Sequence, residues 1–343
     1  MKTTIYLNEW FYNSGIVGFL RILDYNNDNF AEIKDNYITF ETKKLKNFHK
    51  YYFKYFFDIY NIGLKTTEKI ENSFEKIINY LKEDSQDKQV IKEIQEKMKT
   101  EKKHIKDIIK KQLEKIKKYD ESTYSNILME YNKIDKIKTQ ENIDELIITK
   151  ELQKDDINKR LTLNLFKSIL SKNYFGQISF LNVVKNALTF EEQEKSMYKD
   201  YISNIIEMDF ILDILHEKYT IEELKILIKE KLENQEISKE VNQIYTNIQK
   251  RFIDKEKSID DIKDYIQKNV FSHCYMCEND KSLTGNYTEG NFIPLAVSSD
   301  NMKNFYWNQN AEFPICDVCK LILFCIPAGI SSIKKTIKEN VNG

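Results

Sequence analysis

The spacing of apolar positions changes character several times along the chain. Residues 3–7 and 37–40 each read as a short strand, while 13–23 is apolar on most sides and reads as a buried helix. Thr42 stands where an N-cap is expected for a helix over 43–60. Eight aromatic side chains fall between Phe48 and Tyr60, a density that suits a helix packed on several sides; a base-stacking platform would instead need those rings exposed. Ile91, Ile94, Met98, Ile105, Ile108, Ile109, Leu113 and Ile116 then follow the three-and-four spacing of one helical face. That stripe lies in a run without glycine or proline from Thr66 to about Lys118, which predicts a long helix or a helical hairpin. Residues 210–215 and 221–232 continue the helical pattern. Around 174–184 it breaks into a loop entering a short strand or tight turn.

Punctuation and charge refine this picture. Three prolines and eight glycines in 343 residues are too few for a turn-rich β-sandwich, so the expected fold is mainly α. It combines a small mixed α/β N-terminal part, a long helical middle segment and, where two C-x-x-C pairs (Cys274/Cys277 and Cys316/Cys319) fall near the C-terminus, a small zinc-binding module. Charged residues are moderately frequent over 1–62, dense over 63–270 and sparsest over 271–343, and all three prolines fall in the last part. These shifts suggest three domains: 1–62 mixed α/β, 63–270 helical with a short irregular or strand insert near 174–184, and 271–343 zinc-binding. The overall balance of 53 basic to 54 acidic residues excludes a polycation or an acidic tail, but not a local patch. No apolar run is long enough to span a membrane. The apolar stretch 16–23 is interrupted by Arg21 and preceded by Glu9, so it does not read as a signal peptide. No membrane partner is expected. An odd number of cysteines, five, with two pairs in C-x-x-C spacing, points to a reducing, cytoplasmic compartment and to metal rather than disulfides.

The strongest chemical signal is that pairing. Cys274-x-x-Cys277 and Cys316-x-x-Cys319 form two knuckles, each able to present two thiolates to one zinc ion. The stretch between them, 278–315, is longer than the spacer of a compact zinc ribbon, and glycine and proline there suit a hairpin-rich excursion. A closed four-cysteine site has no open coordination position and serves folding; the alternative is four free cysteines in a packed core. His273 reads as a neighbour of the site and Cys325 as core. A second signal is the lysine run over 97–118, with ten lysines against three acids. Lys99, Lys103, Lys106 and Lys110 share one side of the helix and can neutralise successive phosphates of a nucleic-acid backbone. A solvated helix face explains the same pattern. Gly15 and Gly18 allow close backbone approach, to another helix or to a phosphate. Phosphate-loop, dinucleotide, nucleophile-elbow and metalloprotease signatures are all missing from the sequence, so no enzyme and no catalytic residue is expected.

Three blocks occur in order: Tyr6-Leu7-Asn8-Glu9-Trp10 with Gly15-Ile16-Val17-Gly18-Phe19-Leu20-Arg21, then Tyr174-Phe175-Gly176-Gln177-Ile178-Ser179-Phe180-Leu181-Asn182, then the two knuckles. Together they resemble the CXXC–CXXC family of CRISPR-associated proteins, the large subunit of subtype I-B Cascade effector complexes. The resemblance implies a non-catalytic subunit of an RNA-guided antiviral surveillance complex. Such a subunit contacts target double-stranded DNA beside the guide-paired region, reads a flanking motif, scaffolds the complex and helps recruit a separate helicase–nuclease. Its partners would be other effector-complex subunits, the guide RNA and the target DNA. Only the four cysteines carry over onto a family motif with an evident role. Asn8, Asn13, Gln177 and Asn182 are the polar residues of the matching blocks and join the four lysines as nucleic-acid candidates. Family members are generally longer, with a further helical region beyond the zinc module; a truncated gene or an expressed fragment would leave a chain ending at Gly343 without that region. The competing reading is a zinc-stabilised helical adaptor that binds only protein partners.

Overall fold

The computed structural model describes residues 1–83, 85–176, 178–181, 188–216, 219–280, 282–288 and 312–330. Helix dominates. In chain order the helices are α1 (Trp10–Tyr25), α2 (Phe48–Tyr60), α3 (Ile62–Lys82), α4 (Lys88–Ile116), α5 (Glu121–Lys133), α6 (Gln140–Asp144), α7 (Ile148–Leu152), α8 (Asp155–Asn173), α9 (Phe190–Met197), α10 (Ser203–Leu215), α11 (Ile221–Glu233), α12 (Lys239–Arg251), α13 (Ile259–Asn269), α14 (Asp317–Phe324) and α15 (Ile326–Gly329). The strands are β1 (Lys2–Tyr6), β2 (Glu32–Ile33), β3 (Tyr37–Glu41), β4 (Thr284–Thr288) and β5 (Glu312–Cys316). Among the described residues no helix is long and apolar enough to cross a membrane.

Contacts group the chain into two units, Met1–Tyr55 with Ile169–Gly343, and Phe56–Ser168. Both boundaries fall inside helices, α2 and α8. The three parts read from charge density remain a statement about composition. Packing depends on which apolar faces meet, and it joins the two ends of the chain in one unit.

In the first unit, β1, β3 and β2 form an antiparallel sheet in that order, with Ile38 of β3 opposite Ile5 on one side and Ile33 on the other. Ile5, Ile38 and Phe40 are buried, and Phe19 of α1 packs between Phe40 and Phe48 at ring separations of 5.3 and 5.1 Å. Helix α1 starts earlier than its apolar pattern suggests, because the Glu9 carboxylate accepts the free amides of Phe11 and Tyr12, each at 2.7 Å. The expected helix over 43–60 needs correction. Residues Thr42–Asn47 form a 3-10 turn and the α-helix begins at Phe48. Thr42 does not cap it, since its hydroxyl donates to the Met1 carbonyl at 2.9 Å and to Asp209. Phe48, Tyr52, Phe53, Tyr55 and Phe56 of α2 are buried, which makes this helix core rather than a stacking platform. A second apolar cluster joins α10 to α13 through Ile211, Leu224, Ile228, Val241, Tyr245, Ile248, Ile262 and Ile266. One charge lies inside this region: the buried Glu207 accepts from Tyr245 at 2.5 Å and pairs with Lys231 at 2.6 Å. Between residues 174 and 184 the described part is a 3-10 turn, Ser179–Leu181, and not a strand.

In the second unit the run from Thr66 forms a helical hairpin, and the apolar stripe lies on its second arm, α4. Helix α3 ends at Lys82, and Asp87 caps α4 by accepting from the Gln89 amide at 2.8 Å. Ile70, Phe74 and Ile77 of α3 share one core with Ile105, Ile109, Leu113 and Ile116 of α4. Lys76 and Glu101 pair across the hairpin at 3.0 Å. The start of α3 is fixed from α8, where Thr162 and the Asn158 carbonyl oxygen accept the amides of Ile62 and Gly63 at 3.0 and 2.8 Å.

Candidate metal centre

The first knuckle follows α13. The backbone reverses tightly: the Glu278 amide donates to the Cys274 carbonyl at 2.7 Å, and the Cys274 amide to the Asn279 carbonyl at 3.0 Å. Glu278 takes a left-handed φ of 56°, a conformation most side chains avoid, and it turns the chain directly after Cys277. The second knuckle is built differently. Strand β5 delivers Cys316 to the N-cap position of α14, with an extended φ of −74° and ψ of 161°, and Cys319 lies in the first turn. Positions N-cap and N3 of a helix face the same point, and the unpaired amides there favour a negative sulfur. Strands β4 and β5 pair antiparallel between the knuckles, with Thr284 opposite Cys316, so the excursion begins and ends as a ladder.

All four Sγ atoms lie within 4.8 Å of one another. Cys274 and Cys319 are 3.9 Å apart and Cys277 and Cys316 3.8 Å. A tetrahedral ion with zinc–sulfur bonds of about 2.3 Å requires sulfur–sulfur edges of about 3.8 Å. A disulfide requires about 2.05 Å, and all five cysteines are free. The acid–base balance of the cluster fits a cation as well. Hydrogen bonding with Cys277, Cys316 and Cys319 pushes the Cys274 thiol far below its ordinary range, whereas hydrogen bonding with Cys274 holds the Cys319 thiol well above it. Four thiols in this space cannot all ionise by themselves; a divalent ion removes that conflict. Cys274, Cys316 and Cys319 are buried. The Cys316 amide donates to Cys274 Sγ at 3.2 Å, and the buried Tyr12 hydroxyl donates to Cys319 Sγ at 3.3 Å. The residues present fit a structural zinc ion held by four sulfurs. His273 is turned to Asp280, at 2.6 Å, and Cys325 is core, with its thiol donating to the Leu321 carbonyl.

Residues 267–331 match the family of CRISPR-associated proteins called Cas_CXXC_CXXC. This stretch contains both knuckles, α14 and α15. No curated protein and no solved structure matches the chain. The blocks outside the match meet inside the first unit, around α14. Phe324 of α14 touches Phe175, Phe180 and Tyr201 edge-on at 5.8, 5.2 and 4.8 Å, and its carbonyl accepts from Tyr52 at 3.1 Å. Gly15 faces the Ile322 carbonyl, where an added Cβ would come within 2.5 Å of the oxygen, and Gly18 faces the Cys325 carbonyl even more closely. Arg21 donates to the Ala328 carbonyl. Helix packing, not a phosphate, therefore accounts for both glycines.

The remaining sequence candidates fall in different places. Asn13 turns its side chain to the Asn8 backbone, Oδ1 accepting from the Asn8 amide and Nδ2 donating to the Asn8 carbonyl, both at 2.8 Å, while Asn8 Oδ1 accepts the Glu9 amide at 2.9 Å. Gln177 and Asn182 lie outside the described residues. Lys99, Lys103 and Lys110 are exposed on α4. Lys106 pairs with Asp135 at 2.5 Å and lies 4.6 Å from the Tyr131 ring, so part of its charge is already matched; that hydrogen bond raises its pKa. Lys102, absent from the row read in the sequence, reaches the Ile137 carbonyl at 2.6 Å, and burial lowers its pKa. Lys99, Lys102, Lys103 and Lys106 line a cleft of about 620 Å³ with Lys138, and Lys110 lies outside that lining. Tyr12 is the residue of the metal centre that sequence reasoning missed.

Proposed function

We propose that the chain is a non-catalytic large subunit of a type I-B CRISPR RNA-guided surveillance complex, contacting target DNA beside the guide-paired region and scaffolding the assembly. The match of residues 267–331, with both knuckles inside it, is the observation that carries this reading. The four-sulfur geometry supports the non-catalytic part, because such a site leaves an ion no position for substrate or water. When bound, zinc would cross-link the turn after α13 to the start of α14. The row of Lys99, Lys103 and Lys110 supports the nucleic-acid part: ammonium groups on one helix face act as point charges on phosphates and leave sequence reading to the guide.

The test is affinity purification of the tagged full chain from its native cells, followed by identification of bound RNA and protein. Guide RNA together with other effector subunits is the expected result. Recovery of protein partners without guide RNA would overturn the proposal and favour the adaptor. In the purified assembly, Lys99→Glu with Lys103→Glu and Lys110→Glu should weaken duplex binding and flatten its salt dependence, since fewer counterions are then released.

A further inference from the structure

A second cleft, of about 540 Å³, opens within the first unit and is lined from α14, the start of α12 and the π-helical turn Tyr198–Ile202. Lys199, Lys239 and Glu240 are exposed and mark its mouth, whereas Asp317 and Lys320 are 5% and 7% exposed and form its base. Lys320 Nζ donates to Asp317 Oδ1 at 3.3 Å and to no other group among the described residues. An ammonium carries three N–H donors. A buried ion pair repays its desolvation only when further hydrogen bonds satisfy what the pair leaves over. The remaining walls are apolar, from Val241, Ile244, Leu283 and the Tyr201 ring, which is held edge-on against Phe180 and Phe324 at 5.7 and 4.8 Å.

We propose that this cleft binds an unstacked guanine base, with Lys320 donating to O6 and N7 and Asp317 accepting from N1–H and N2–H. Three separate features converge on a neutral planar group with a mixed edge. Three lysines and three acids line the cleft, so it has no net charge to draw in a phosphate. A donor and an acceptor stand side by side at the base, and guanine sets two N–H groups beside a carbonyl, which satisfies a carboxylate twice. Apolar side chains and one aromatic ring flank that pair, the surroundings in which a base taken out of its stack is held. The volume admits a base with its sugar. The same base is offered by a free nucleotide and by a single strand. The inference stands apart from the lysine row of α4 and from membership in a guide-RNA complex.

The test titrates the purified full chain by calorimetry with GMP, AMP, CMP and UMP, and with oligothymidylate carrying one central guanine or none. GMP should bind about tenfold or more tighter than the other three nucleotides, and the guanine-bearing strand tighter than the plain one by a similar factor. Asp317→Asn keeps the shape of the side chain but accepts fewer N–H groups, and should abolish the preference for guanine. Because Asp317 is buried beside Cys316, a second variant acts from the partly exposed wall. Ile244→Trp changes no charge, fills the cleft and should remove binding of every probe while the melting curve stays in place. Tighter binding of the guanine-bearing strand than of GMP assigns the site to a strand; the reverse order assigns it to a free nucleotide. Equal affinity for the four nucleotides, failure of both guanine probes, or binding that survives Ile244→Trp would each overturn the proposal.

Discussion

Tyr12 carries its phenol on α1, far along the chain from the sulfur it serves, and donates to Cys319 at 3.3 Å. Burial first, and then the charge of Cys319, keep its pKa well above the ordinary value, so the hydroxyl stays protonated and remains a donor. Four thiolates around one divalent ion leave a net negative cluster, and each donor aimed at a sulfur disperses part of that charge. Replacing Tyr12 by Phe keeps the ring in its packing and deletes only the O–H. The Tyr12→Phe chain should hold zinc about 10- to 100-fold more weakly, measured by competition with a chelator. Unchanged affinity would show that the contact is packing alone. The four cysteines that cluster were legible in the sequence because C-x-x-C spacing reports one local turn at a time. Tyr12 was not, because an aromatic on an apolar helix face looks like any core residue until the fold brings a sulfur to it. Asn13, by contrast, bonds locally, its side chain engaging the Asn8 amide and carbonyl.

Among the elements, α1 and α15 approach so closely that side chains are excluded from both surfaces. A Cβ on Gly18 would overlap the Cys325 carbonyl, and one on Gly329 the Ser14 carbonyl. Backbone obstructs the space in each case, so no side-chain rotation relieves it. Gly18→Ala should therefore destabilise the first unit by about 1–3 kcal/mol or more, read from the urea midpoint, while the exposed Val17→Ala stays within about 0.5 kcal/mol. Equal midpoints would refute the close contact. Periodicity made such faces readable: the Ile-rich stripe of α4, the aromatic helix α2 and the paired strands β1 and β3 all follow the spacing of their apolar residues. Boundaries were less readable because they depend on distant groups. Thr42 has the chemistry of an N-cap, yet its hydroxyl is taken by the Met1 carbonyl and by Asp209, which also pairs with the N-terminal ammonium at 2.8 Å. Glu9, a less usual capping residue, holds α1 instead.

At the scale of the whole chain, the two ends fold together and residues Phe56–Ser168 form a unit with a core of their own. Helix α14 links the metal centre to that joined unit. Its N-cap and first turn supply Cys316 and Cys319, its last residue Phe324 lies among Phe175, Phe180 and Tyr201, and its carbonyl at Ile322 faces Gly15 of α1. A structural metal ion held by the four cysteines would contribute its binding free energy to folding, so its loss should loosen the elements that α14 holds. Hydrogen exchange resolves such local opening segment by segment. After chelation, amides of the two knuckles and α14 should exchange faster, followed by those of α1, which has both its glycines on α14 and α15. Amides of α3 and α4, buried around Ile70, Ile77, Ile105 and Ile109, should keep their protection. Faster exchange confined to the knuckles would mean that apolar packing alone secures α14. Loss of protection in α3 and α4 as well would mean that the two units open together, and the metal would then govern the stability of the entire chain.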